Sequence, residues 1–129
     1  MASYDKIVEA LKELKVFGKT NFVMLFGSVS KNQQNKLSDV DICISLSLPA
    51  KQRLKIRMKL LASFSDKYDI QIFEDLPLYL QKEVLSGKLI YCKNKNKLVR
   101  RAIEIIQEYE DFEPLYNYYI SKDKSKVAI

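Results

Sequence analysis

Apolar residues change their spacing several times along the chain, and each change predicts an element. Ile7, Leu11 and Leu14, with Val8 beside them, recur at helical spacing over Tyr4 to Val16, and Gly18 marks the end of that helix. Phe22 to Phe26 is a continuous apolar run closed by Gly27-Ser28, which predicts a buried strand and a tight turn. Val29 to Lys31 reads as a short helical turn, and Asn32 to Leu37 as a polar loop. Asp39 to Leu46 then alternates. Val40, Ile42, Ile44 and Leu46 share one face, expected to meet the helices, while Asp39, Asp41, Cys43 and Ser45 share the other.

Pro49 leads into a predicted helix over Ala50 to Ser65, with an apolar stripe of Leu54, Met58 and Leu61 flanked by Leu60 and Phe64. Lys51, Arg53, Lys55, Arg57 and Lys59 fall mostly off that stripe and read as a solvated face. Tyr68 to Phe73 is a third strand, with Asp69, Gln71 and Phe73 on one face and Ile70 and Ile72 on the other. Pro77 sits at the start of a helix that Leu78 to Leu85 continues. Gly87 suits a helix C-cap before a short strand, Leu89 to Cys92. After a break at Asn94 to Asn96, Leu98, Ala102, Ile105, Tyr109 and Phe112 fall in helical step. Pro114 is expected to end or kink that helix. Leu115 to Ile120 reads as one or two further turns whose aromatic side chains pack back on the sheet. Residues 121–129 are expected to fray. With no repeat or linker, residues 1–129 read as a single α/β (α+β) domain with its core over about 4–112.

Composition narrows the chemistry. There are no histidines, which excludes Ser-His-Asp and Cys-His triads. Two cysteines cannot close a zinc site by themselves, and Cys43 and Cys92 read as small apolar strand residues. Carboxylates, hydroxyls, lysines and arginines remain. The net charge of +6 suits a nucleotide, nucleic acid or an acidic partner, although most of the lysines are scattered and direct nucleic-acid binding is not expected. No apolar run approaches the ~20 residues of a membrane span. The N-terminus lacks the order of a signal peptide, so a cytoplasmic location is expected.

Against that background one constellation stands out. Gly27-Ser28 precedes Asp39 by ten residues, and Asp41 follows one position later. Aspartates at i and i+2 of a strand point the same way, about 6.5–7 Å apart along the backbone. They can supply the hard oxygen ligands that Mg²⁺ prefers, and two such ions can neutralise a triphosphate and orient an attacking oxygen. Asp69 lies on a neighbouring strand with matching parity; Glu74 and Asp75, just beyond that strand, compete for its role. Glycine lets backbone approach phosphate closely, and Ser28 adds a hydroxyl donor. A Ser-Asp-x-Asp segment can also be a polar loop entering a strand, with Ser38 or Asp39 satisfying local donors. Three aspartates on one sheet face are, however, costly without a cation.

Gly27-Ser28 followed by Asp39-Val40-Asp41, in the context Phe26-Gly27-Ser28 and with Ser38 before the first aspartate, resembles the DNA polymerase beta-like nucleotidyltransferase superfamily. The segment Tyr68 to Tyr91 is similar to its small stand-alone members, the minimal nucleotidyltransferases. The resemblance implies the nucleotidyltransferase fold, a small mixed sheet packed by helices. It implies two Mg²⁺ ions held by Asp39, Asp41 and Asp69, with Asp69 beside the attacking hydroxyl, and ATP as substrate. Gly27, Ser28 and Ser38 would belong to the nucleotide-binding region. Many relatives carry an arginine soon after Gly-Ser; here Val29-Ser30-Lys31 follows, so Lys31 would substitute as a point charge.

The resemblance also implies an acceptor. Minimal relatives neutralise a HEPN-type RNase toxin by moving AMP from ATP onto one of its tyrosines, acting as a type VII-like antitoxin in a hetero-oligomer with it. Two other readings stay open: a small-molecule acceptor, as in aminoglycoside nucleotidyltransferases, and a binding module that silences its partner without catalysis. The aromatic stretch Phe112 to Ile120 would suit a partner interface if it does not pack on the sheet.

Overall fold

The computed structural model describes residues 3–26, 40–64 and 67–127. Its elements run α1 (Ser3–Glu13), β1 (Thr20–Phe26), β2 (Val40–Leu46), α2 (Ala50–Ser63), β3 (Tyr68–Ile72), α3 (Leu78–Leu85), β4 (Lys88–Cys92) and α4 (Lys95–Val127). Short 3-10 turns at Phe17–Lys19 and Phe73–Asp75 lie before β1 and after β3. The strands form one mixed sheet in the order β3-β2-β1-β4. β1 is antiparallel to both β2 and β4, and β2 is parallel to β3.

Alternation in the strands sorts the core into two layers. Val23, Leu25, Ile42, Ile44, Ile70 and Ile72 pack against Ile7 and Leu11 of α1 and Ile56 and Leu60 of α2. On the opposite face Phe22, Met24, Cys43 and Phe73 pack with Val84 of α3 and Ile105 of α4. The face of β2 that carries the acid is therefore also covered by helices over its middle. Five consecutive residues, Ile42 to Leu46, are buried as a result. Phe22 and Phe73 meet edge to face, ring centroids 5.0 Å apart.

Several element ends differ from their sequence expectation. α1 closes three residues earlier than Val16. The Val16 N–H donates to the Leu11 carbonyl and the Lys15 N–H to Lys12, a Schellman closure with Lys15 in the left-handed region at φ 62°. β1 starts at Thr20, whose buried hydroxyl donates to the Val16 carbonyl at 2.9 Å. A register shift between Thr20 and Phe22 sets Asn21 apart from the ladder. On α2 the buried residues are Ile56 and Leu60, while Leu54 and Met58 are each 57% exposed. Arg53 and Arg57 do not belong to the solvated face. Arg53 pairs with Asp75 at 2.7 Å and also donates to the Leu48 carbonyl; Arg57 donates to the Ile70 carbonyl at 2.7 Å. Asn94 caps α4, its side-chain oxygen accepting from the Lys97 N–H.

α4 runs through Pro114 to Val127 rather than ending or restarting there, and residues 121–127 continue the helix. Proline removes one N–H and crowds the carbonyl four residues back. Around Pro114 the described side chains are all exposed, so water can satisfy the freed carbonyl. Leu98, Ala102, Ile105 and Tyr109 face inward as their spacing predicts. Phe112, Leu115 and Tyr118 are 40%, 59% and 59% exposed and do not pack on the sheet. Among the described residues no helix is long and apolar enough to cross a membrane.

Candidate active site

Two strands bring two carboxylates together. Asp41 is the second residue of β2 and Asp69 the second of β3, and the parallel ladder pairs them directly. Paired residues of neighbouring strands project to the same face, with strands about 4.8 Å apart. The alignment begins one residue earlier, where the Val40 N–H donates to the Lys67 carbonyl at 3.1 Å. It persists because Ile42 pairs with Ile70 and Ile44 with Ile72 on the buried opposite face. A slip of one residue would drive aspartates into that core.

The antiparallel pairing of β1 with β2 adds Phe26 beside Asp41. The chain therefore leaves β1 and re-enters β2 at the end of the sheet that carries both acids. The connection between them holds Gly27, Ser28, Lys31, Ser38 and Asp39, which lie outside the described residues. Of the predicted site, the structure places Asp41 and Asp69, and it brings them together.

Asp69 is half-buried, and both of its carboxylate oxygens accept from the Gln71 side-chain amide, at 3.2 and 3.3 Å. Gln71 thus holds the carboxylate to the sheet and fixes its rotamer. The signal for it was present as Asp69-x-Gln71: a polar residue at i+2 on a strand shares the acid's face.

The two competing acids are already committed elsewhere. One Glu74 oxygen accepts from the Leu46 N–H at 3.0 Å, and the other from the Ser45 hydroxyl. These contacts tie it to the far end of β2. Asp75 faces Arg53. Cys43 sits midway along the same face, fully buried; desolvation, with the Glu74 charge nearby, pushes its thiol pKa up and keeps it protonated.

Adjacent carboxylates raise the cost of each other's charge, and a divalent cation between them removes that cost. Two half-buried aspartates side by side offer hard carboxylate oxygen donors. They fit Mg²⁺ and do not fit a soft metal.

A family model described as polymerase beta, nucleotidyltransferase matches residues 5–96. A Methanocaldococcus jannaschii protein named "putative protein adenylyltransferase" is 34% identical over 99 residues, which span 77% of this chain and 74% of that protein. A solved toxin–antitoxin structure with AMP-PNP matches at a TM-score of 0.74 and 21% identity, over 95% of this chain and 99% of that one. A solved complex of tri-AMPylated Shewanella oneidensis HEPN toxin with MNT antitoxin matches at 0.69 and 20% identity, over 93% and 94%. At these identities the structures establish the shared fold. The chain belongs to the polymerase beta nucleotidyltransferase family.

Proposed function

We propose that this nucleotidyltransferase moves AMP from ATP to a tyrosine hydroxyl of a HEPN-type RNase toxin and so acts as its antitoxin. The observation that carries the reading is the in-register pair Asp41 and Asp69, on one sheet face at the end where the chain carries Gly27-Ser28 and Asp39 between strands. The M. jannaschii relative's name and the AMPylated toxin in the S. oneidensis complex support AMP as the group transferred and a protein as the acceptor. The AMP-PNP in a further neighbour supports ATP as the donor. Exposed Phe112, Leu115 and Tyr118 follow one another at three-residue steps along α4 and offer an apolar surface to a protein partner.

In this mechanism the acceptor oxygen bonds to the α-phosphorus of ATP, the bond from that phosphorus to the bridging oxygen breaks, and pyrophosphate leaves. Asp69, oriented by Gln71, takes the hydroxyl proton. Asp39, Asp41 and Asp69 would hold two Mg²⁺ ions, which when bound supply charge neutralisation and orientation for the phosphates. Gly27 and Ser28 would bind the phosphate chain, with Ser38 beside the first aspartate and Lys31 as a point charge.

Intact-mass measurement of a co-expressed HEPN partner tests the reading. One or more AMP additions are expected, all absent with Asp41→Asn. A partner bound tightly but unmodified by the wild type would replace the proposal with a binding-only role.

A further inference from the structure

We infer that the end of the sheet opposite the acid pair holds a second site, one that binds a phosphate-bearing ligand of about mononucleotide size. Along the β1–β2 pair the acid face has three rows. Phe26 pairs with Asp41 at one end, Met24 with Cys43 in the middle, and Phe22 with Ser45 at the other end. The middle row is sealed beneath Val84 and Ile105. Beyond it opens a cavity of about 590 Å³. Four residues of strand, roughly 13 Å, separate Ser45 from Asp41. A ligand in the cavity is therefore not in contact with the acids.

The cavity wall is basic. Lys19, Lys93, Lys97 and Arg101 line it against one acid, Glu74. Arg101 is turned toward Glu104 and Glu108, at 3.3 and 3.8 Å. Glu74 already accepts from Ser45 and from the Leu46 N–H. Three lysines remain; Lys93 donates to the Gly18 carbonyl at 2.7 Å, and Lys19 and Lys97 have no side-chain partner among the described residues. They are brought together from three places, the turn before β1, the end of β4 and the first turn of α4. Like charges gathered around one concavity repel, and a multiply charged anion relieves that repulsion. Lysine ammoniums act as point charges with rotatable donors, which suits the several oxygens of a multiply charged phosphate chain. Asn21, Ser47 and Asn94 add neutral polar groups to the wall.

The site is independent of the catalytic reading, and its test leaves metal out. The ¹⁵N-labelled full chain is titrated with sodium tripolyphosphate in EDTA, and amide shifts are followed. Saturable shifts are expected at Asn21, Ser45, Ser47 and Lys97, half-complete below about 1 mM, and not at Asp41 or Asp69. Lys19→Glu with Lys97→Glu should weaken binding at least about tenfold, and Asp41→Asn should leave it unchanged. Both lysines are exposed, and an acid in the first turn of α4 favours the helix, so the double variant should fold. The milder Lys19→Ala with Lys97→Ala should show a smaller loss in the same direction. A nucleoside diphosphate that displaces tripolyphosphate at lower concentration identifies a nucleotide as the ligand, and a weaker one identifies a bare phosphate chain. Shifts centred on Asp41 and Asp69, binding unaffected by charge reversal, or equal binding of a triglutamate peptide would each overturn the inference.

Discussion

Single residues show where backbone geometry leaves no choice. A Cβ added at Gly87 would lie 2.1 Å from the Leu25 carbonyl oxygen, because the turn from α3 into β4 presses on β1. Gly87→Ala should therefore cost about 2–4 kcal/mol, read as a lower urea midpoint. Gly18 has open space around its Cα, and Gly18→Ala should stay within about 0.5 kcal/mol. The left-handed residue that ends α1 is Lys15, so Lys15→Gly should stabilise by about 0.5–1 kcal/mol in the same assay. The sequence points to Gly18 as the stop because glycine is the usual occupant of that conformation. A lysine held there by two backbone hydrogen bonds leaves no compositional trace. Gly87 does close α3, its N–H donating to the Val84 carbonyl at 2.9 Å, and what requires glycine there is its close approach to Leu25.

At the scale of elements, legibility follows how clean the periodicity is. β2 alternates without exception, and its faces are as expected. α4 carries one stripe, and its inward residues are Leu98, Ala102, Ile105 and Tyr109 as read, with Phe112 40% exposed. α2 is ambiguous because Leu54, Ile56, Met58, Leu60 and Leu61 nearly encircle it. The tie is broken by two arginines that reach strand and turn partners, Arg53 at Asp75 and Arg57 at Ile70. Those partners are distant in sequence, so helical spacing could not reveal them. The consequence is measurable. Ile56→Ala should lose about 2–4 kcal/mol of stability, while Leu54→Ala should change it by less than about 0.5 kcal/mol. Equal losses at the two positions would return the buried stripe to Leu54 and Met58.

For the whole molecule, one sheet face carries acids at one end and bases at the other, with a sealed apolar row between. The acid end was legible because Asp41 and Asp69 share strand parity, and parity survives folding. The basic end was legible only in part: Lys93, Lys97 and Arg101 lie close in sequence, but Lys19 and Ser45 join them only through the sheet order β2-β1-β4 and the docking of α4. The acid end also sets function against stability. Like charges at paired strand positions are destabilising by about 0.2–1 kcal/mol. In EDTA, Asp69→Asn should therefore raise the unfolding free energy by an amount in that range, read as a higher urea midpoint, since asparagine keeps an oxygen for Gln71 and removes one charge. The same variant should lose AMP transfer. Addition of Mg²⁺ with ATP should reverse the order, because ligand binding to the native state stabilises the wild type by mass action and the variant much less. A variant that is less stable than wild type in EDTA would mean that the Asp69 charge is satisfied within the protein, and that the pair is not held ready for a cation.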